Sequence, residues 1–207
     1  MVDSSDFDSR ARTWDDDPAK VDRARRVAEA ITGVVPDLAR RKVLDYGAGT
    51  GLLGFELLPR VARVTFADVS RGMLAVVDEK IARGAGEKAE SLLLDLTLDP
   101  PPPGRFDLVC TLMALHHVPD VRAILGAFHH ALAPGGFVCI ADLDQEDGSF
   151  HGPGFGGHRG FSRTELAARI DEAGFGPARF STPCEVRKEV GGEPRTYPIF
   201  LAVAGRR

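Results

Sequence analysis

Three groups of residues in this chain have types and spacings that could do chemistry. The first is Val43-Leu44-Asp45-Tyr46-Gly47-Ala48-Gly49-Thr50-Gly51, an apolar run that opens into closely spaced glycines. Glycine admits positive φ and lets backbone come up against a ligand. The start of a following helix adds unpaired N–H groups. The second is a series of aspartates. Asp68 stands 17 residues after Gly51, where a carboxylate can accept from both hydroxyls of a ribose, and Asp95 follows later. These two groups point to a nucleoside-containing ligand. They leave its kind open, because Gly49-Thr50-Gly51-Leu52-Leu53-Gly54 also fits the dinucleotide pattern.

The third group is histidine with acids. Met113-Ala114-Leu115-His116-His117-Val118 carries two imidazoles, whose ordinary pKa lies close to neutral and suits proton transfer. Asp142, Asp144, Glu146, Asp147, His151 and His158 follow in one glycine-rich stretch. His116, His151 and His158 are the candidate bases or substrate ligands. No metal is expected, because the interval of seven between His151 and His158 matches no compact ligand motif. The acids there read as caps of a polar lid, and glycines 148, 152, 154, 156 and 157 suit a mobile one.

The elements that must position these residues are legible in the same sequence. Val21, Ala24, Val27, Ala28 and Ile31 recur at helical spacing after Pro18, and Gly33 and Pro36 end that helix. Strand signals at 42–46, 63–67, 91–94, 106–112 and 137–143 alternate with helical ones at 52–58, 73–82 and 121–132. Such alternation predicts βαβ units, a parallel sheet and helices on both faces. Pro134-Gly135-Gly136 reads as a stop before the fifth strand. Residues 144–160 read as a loop. Ser162 and Glu165 form a capping-box pattern for a helix ending at Gly174. Two last strands, 178–186 and 197–204, are joined at Gly191-Gly192-Glu193-Pro194 and must be antiparallel.

Composition narrows the partners. The 207 residues carry 26 Lys and Arg against 30 Asp and Glu, a net charge of −4 that argues against a nucleic-acid partner. No apolar stretch is long enough for a membrane span. The N-terminus lacks a signal-peptide pattern, and three widely spaced cysteines fit a reducing compartment, so a cytoplasmic location is expected.

In their order, these motifs resemble the class I S-adenosylmethionine-dependent methyltransferases, over roughly residues 40–206. Asp45-x-Gly47-x-Gly49-x-Gly51 is similar to the family's first motif, Asp68 to its second and Leu94-Asp95-Leu96 to its third. Phe106-Asp107-Leu108-Val109 with Met113–Val118 is similar to the fourth, and Leu132-Ala133-Pro134-Gly135-Gly136 to the turn before the fifth strand. Ala48 and Tyr46 depart from common residues there. The resemblance is strongest to small-molecule enzymes of the ubiquinone and menaquinone biosynthesis type. It implies an α/β fold: a Rossmann-like, doubly wound, seven-stranded mixed sheet whose last strand pair is antiparallel. It also implies S-adenosylmethionine as cofactor, held by Trp14, Asp45, Gly47, Ala48, Gly49, Gly51, Asp68, Val69, Met73, Asp95, Leu96 and Met113. Residues 1–40, with Phe7 and Trp14, would form a helical cap, and 41–207 the methyltransferase domain. A small-molecule methyl acceptor is implied. An NAD(P)-dependent oxidoreductase, and a non-catalytic cofactor-binding module acting through a protein partner, stand as the alternatives.

Overall fold

The computed structural model describes residues 4–207. Five parallel strands form its centre: β1 (Lys42–Tyr46), β2 (Arg63–Asp68), β3 (Ala89–Leu93), β4 (Phe106–Leu112) and β5 (Leu132–Leu143). With β6 (Arg179–Val190) and β7 (Glu193–Gly205) they make one seven-stranded sheet in the order β3-β2-β1-β4-β5-β7-β6. Strand β7 runs antiparallel to β6, as the sequence predicts, and antiparallel to β5 as well.

Helices cover both faces, which explains why the central strands read as nearly continuous apolar runs. Alternate residues of β1 serve opposite sides. Leu44 joins a core with Ile124 and Phe128 of α5 (Val121–Ala131) and Leu166 and Ile170 of α6 (Arg163–Glu172). Val43 joins a second core of three helices numbered in chain order after α1 (Ser4–Arg10). Val27 and Ile31 come from α2 (Pro18–Val34), Leu53 and Leu57 from α3 (Leu52–Leu57), and Val77 from α4 (Arg71–Lys80). Chain order reverses between β1 and β4, which opens a crevice at their carboxyl ends.

Two boundaries differ from expectation. Strand β5 begins at Leu132, because Phe106 pairs with Leu132 and Leu108 with Phe137; the Pro-Gly-Gly segment is a bulge inside the strand. The last hairpin is tighter than predicted. Val190 pairs with Glu193, so only Gly191 and Gly192 turn, both at positive φ as a two-residue turn requires.

Before α2, α1 and a 3₁₀ turn (Ala11–Asp16) lie on α4 and the glycine loop. Asp17 caps α2 by accepting from the Ala19 N–H, with Pro18 at the first helical position. Among the described residues, no helix is long and apolar enough to cross a membrane.

Candidate active site

The crevice holds a cavity of about 490 Å³. Its floor is the turn between β1 and α3. Gly47, Gly49 and Gly51 all lie at positive φ. A Cβ on Gly47 would meet that of Ala114 at 2.5 Å, whereas one on Gly49 would find nothing nearer than Met73 and Trp14 at 4.0 Å. Gly47 is therefore required by packing, and the space over Gly49 belongs to the cavity. Gly51 does not line it; the turn packs there against Phe55 and Phe66.

Asp45 is buried beneath this loop. Its Oδ2 accepts from the Gly54 N–H at 2.9 Å, which ties β1 to α3, and Oδ1 accepts from the Cys110 thiol at 3.8 Å. Burial raises its pKa to about 7, and the Asp68 charge adds to the rise. Asp68, largely buried at the end of β2, accepts from the Gly49 N–H at 2.7 Å and the Ser70 N–H at 2.8 Å. It fixes the loop, and the carboxylate keeps acceptor capacity for a ligand. Burial raises its pKa as well.

The far wall comes from the carboxyl ends of β2, β3 and β4 and the start of α4. Val69, Met73 and Asp95 line the cavity. Asp95 Oδ1 accepts from the Thr97 N–H and hydroxyl at 2.9 and 2.6 Å, and Oδ2 accepts from no described residue. Leu96 departs from expectation. Its side chain is in the core and its N–H donates to the Tyr46 hydroxyl at 3.2 Å, so it does not line the cavity. Tyr46, the unusual residue of the first motif, is thus the group that occupies the Leu96 amide. Met113 adopts the left-handed conformation, φ +56°, just after β4. A side chain held there signals a constrained site. Met113, Ala114 and His117 line the cavity in consequence.

The N-terminal segment roofs it. Asp8 accepts from the Ser70 hydroxyl at 2.5 Å and the Gly72 N–H at 2.8 Å. Asp15 accepts from the Thr50 hydroxyl at 2.5 Å and pairs with Lys80 at 2.6 Å. These bonds bring Phe7 and Trp14 over the opening. The Trp14 ring already carries cations, with Lys20 Nζ at 4.1 Å and the Arg10 guanidinium at 5.1 Å from its centroid. Lys20 and Arg23, on the first turns of α2, are lining residues that the sequence did not single out. Arg23 is half-buried and makes no hydrogen bond or ion pair among the described residues. Burial lowers its pKa. Their signal was a pair of cations three residues apart on the polar side of an amphipathic helix, which in sequence looks like any solvated face.

The histidines separate by role. The Nδ1–H of buried His116 donates to Asp142 Oδ1 at 2.6 Å, and its backbone N–H donates to Oδ2 at 3.1 Å. His117 lines the cavity, with Phe7 edge-on at 5.5 Å. His151 stacks on Phe155 at 3.8 Å and approaches His116 at 5.0 Å between ring centroids. Burial lowers the pKa of His117 and of His151 to about 4, so both rings are neutral at pH 7. His158 stands apart. Its Nε2 is within 3.0 Å of the Val118 carbonyl and it does not line the cavity, a geometry that suits a loop anchor rather than a base. The acids of the loop are committed too: Asp144 to Arg163, Glu146 to the Gly148 and Phe150 N–H groups, and Asp147 to Arg195. The loop is therefore pinned more firmly than its glycines suggest.

Comparisons with known proteins agree with this geometry. A methyltransferase-domain family model matches residues 43–136. A ubiquinone biosynthesis O-methyltransferase from Pseudomonas aeruginosa is 33% identical over 109 residues, covering 52% of this chain and 47% of that protein. An uncharacterised methyltransferase from Schizosaccharomyces pombe is 32% identical over 117 residues, 53% of this chain and 41% of its own length. The chain thus spans about half the length of the curated relatives it matches. The crystal structure of a SAM dependent methyltransferase from Aquifex aeolicus superposes with a TM-score of 0.69 at 20% identity, over 100% of both chains. The strand order, the ordered motifs around one cavity and these matches together support a class I S-adenosylmethionine-dependent methyltransferase.

Proposed function

We propose that this chain transfers a methyl group from S-adenosylmethionine to a small-molecule acceptor and releases S-adenosylhomocysteine. One observation carries the reading: the cavity joins an open glycine turn, two carboxylates with unused acceptor capacity and an unpartnered guanidinium under one roof. Those features match, in turn, a close-lying ligand backbone, a ribose and an adenine amine, and a carboxylate. Bound S-adenosylmethionine supplies an electrophilic methyl on sulfur.

The chain's own residues then have separable tasks. Asp68 accepts from the ribose hydroxyls while holding the Gly49 amide. Asp95 Oδ2 accepts from the adenine amine, with Val69 and Met73 against the ring. Arg23 holds the carboxylate. Residues 1–40 act as a cap, and Phe7 and Trp14 exclude water from the reacting atoms, where alignment and desolvation supply much of the rate. The acceptor sits at the His117 end, beside Met113 and Ala114. His116 and His151 reach that end only through His117. A net negative chain suits a small-molecule acceptor rather than nucleic acid. Three buried free cysteines suit the cytoplasm.

Calorimetric titration with S-adenosylmethionine, S-adenosylhomocysteine and NADH tests the reading, with Asp68→Asn as control. Micromolar binding of both adenosyl ligands, weakened in the variant, is the expected result. Binding of NADH alone would overturn it in favour of an oxidoreductase.

A further inference from the structure

His116, His117 and His151 present ring nitrogens that all lie within 4.8 Å of one another. Two of these residues carry nitrogens that packing alone does not explain. His116 Nε2 and His117 Nδ1 are buried and have no hydrogen-bond partner among the described residues. A buried polar atom left unpaired costs about 1–3 kcal/mol. His116 is 1% exposed, and Asp142, itself fully buried, takes its Nδ1–H, so the Nε2 lone pair is directed into the cluster. A carboxylate on the remote nitrogen of a ligating imidazole is the arrangement that orients such a ligand and raises its basicity.

We propose that His116 Nε2, His117 and His151 form a divalent-cation site of the zinc class, with a fourth position open toward the cavity. Three imidazoles favour zinc and neighbouring transition metals over magnesium or calcium, which prefer oxygen ligands. Three protein ligands leave one position for water or a substrate heteroatom. Zinc–nitrogen bonds of about 2.0–2.1 Å place tetrahedral ligand atoms about 3.3 Å apart, so the cluster must close by about 1.5 Å. His151 can supply that movement by turning its exposed ring about the side-chain torsions, while Glu146 holds the backbone beside it through the Gly148 and Phe150 N–H groups. His117 is the member that lines the cavity, so the cation stands at the acceptor end. This location rests on the methyl-transfer reading; the site itself does not. A metal there would favour acceptors with an ionisable oxygen, sulfur or nitrogen, because coordination lowers the pKa of a bound group.

The test is a titration of untagged, chelator-stripped full-length chain with Co²⁺ alone, followed by displacement with Zn²⁺. One equivalent should bind, with the visible absorption of four-coordinate cobalt, and zinc should abolish the band. His151→Ala should weaken binding by about 100-fold or more, and Asp142→Asn by about 10–100-fold. His130→Ala, an exposed histidine on α5, should leave it unchanged. Should Asp142→Asn fail to fold, His151→Ala, on an exposed residue, still decides the matter. Absence of stoichiometric binding, or binding indifferent to His151→Ala, overturns the proposal. S-adenosylhomocysteine titrated in the presence of chelator separates the two readings. Adenosyl binding without metal binding sinks only the metal site, and metal binding without adenosyl binding sinks only methyl transfer.

Discussion

Replacing Gly49 with alanine should separate ligand binding from folding. Gly49 sits at φ +56°, and the new Cβ would meet only Met73 Sδ and Trp14 Nε1, each at 4.0 Å. The folded chain therefore has room for the methyl, and its cost is the left-handed backbone alone, about 1–2 kcal/mol. Reduced freedom of the unfolded chain offsets part of that, about 0.4–1 kcal/mol. A net loss of about 1 kcal/mol lowers the melting temperature of a chain this size by about 2–4 °C. The same methyl projects into the space that a ligand lying along the loop must fill. Affinity for S-adenosylhomocysteine should fall about tenfold or more, equivalent to about 1.4 kcal/mol or more. Gly47→Ala is the contrast. Its Cβ would stand 2.5 Å from that of Ala114, so folding itself must suffer. The assay pairs thermal unfolding with calorimetric titration for both variants. If Gly49→Ala bound the ligand with undiminished affinity, the glycine would serve only the turn, and the claim of close approach would be wrong.

Three further outcomes follow from single contacts. Arg23→Gln should weaken S-adenosylhomocysteine about 10–100-fold, the range for a hydrogen bond to a charged group, yet leave 5′-methylthioadenosine, which lacks the carboxylate, unaffected; equal losses for both would remove Arg23 from the carboxylate. Asp15→Asn breaks the ion pair to Lys80 and weakens the bond from Thr50, so the cap should be cleaved faster over residues 4–17 by a trace of protease, and bound S-adenosylhomocysteine should dissociate faster in stopped flow; unchanged rates would show that Asp15 does not hold the roof. Asp45 has its pKa raised from 3.8 to about 7 by burial, so the folded state binds its proton more tightly than the unfolded state does. Its contribution is present below pH 4 and is lost as pH rises through 7, on the order of 4 kcal/mol in all. Urea unfolding between pH 4 and pH 7 should show a stability curve that falls less, or rises more, in Asp45→Asn; parallel curves would mean that the carboxyl is not held protonated.

Much of the fold was readable because local signals and tertiary demands agree in the parallel half. Strand β4 begins and ends where the apolar run 106–112 does, and α5 begins where its periodic pattern does and ends one residue short of it. Disagreements fall where pairing overrides residue preference. Pro134-Gly135-Gly136 reads as a break, but Leu132 still finds Phe106 across the sheet, so the strand starts earlier and carries the break as a bulge. In the final hairpin, Glu193 and Pro194 look like turn residues, yet two glycines at positive φ suffice to reverse the chain, which leaves both free to pair. The floor of the site was legible for the same reason as β1. Its residues are contiguous, and their spacing encodes the turn.

What sequence could not reveal is contact between segments that share no local pattern. Asp8 and Asp15 belong to a stretch that looks merely acidic, and their partners Ser70 and Thr50 lie 62 and 35 residues away. The histidines make the point more sharply. Read along the chain, His151 pairs with His158 at an interval of seven, and that interval argues against a metal. Folding sends the two in different directions. The His158 N–H donates to the His116 carbonyl at 2.8 Å and its ring is held at Val118, which ties the loop's end to the turn after β4. The loop between them then carries His151 and Phe155 back against His116 and His117. Of the two loop histidines, His158 is the anchor, and by anchoring it delivers His151 to His117 and to His116, whose ring Asp142 has already oriented. Spacing rules detect ligand sets built on one turn or one helix. A set assembled by a loop closing onto a strand end is visible only in the unpaired ring nitrogens that the closure leaves behind.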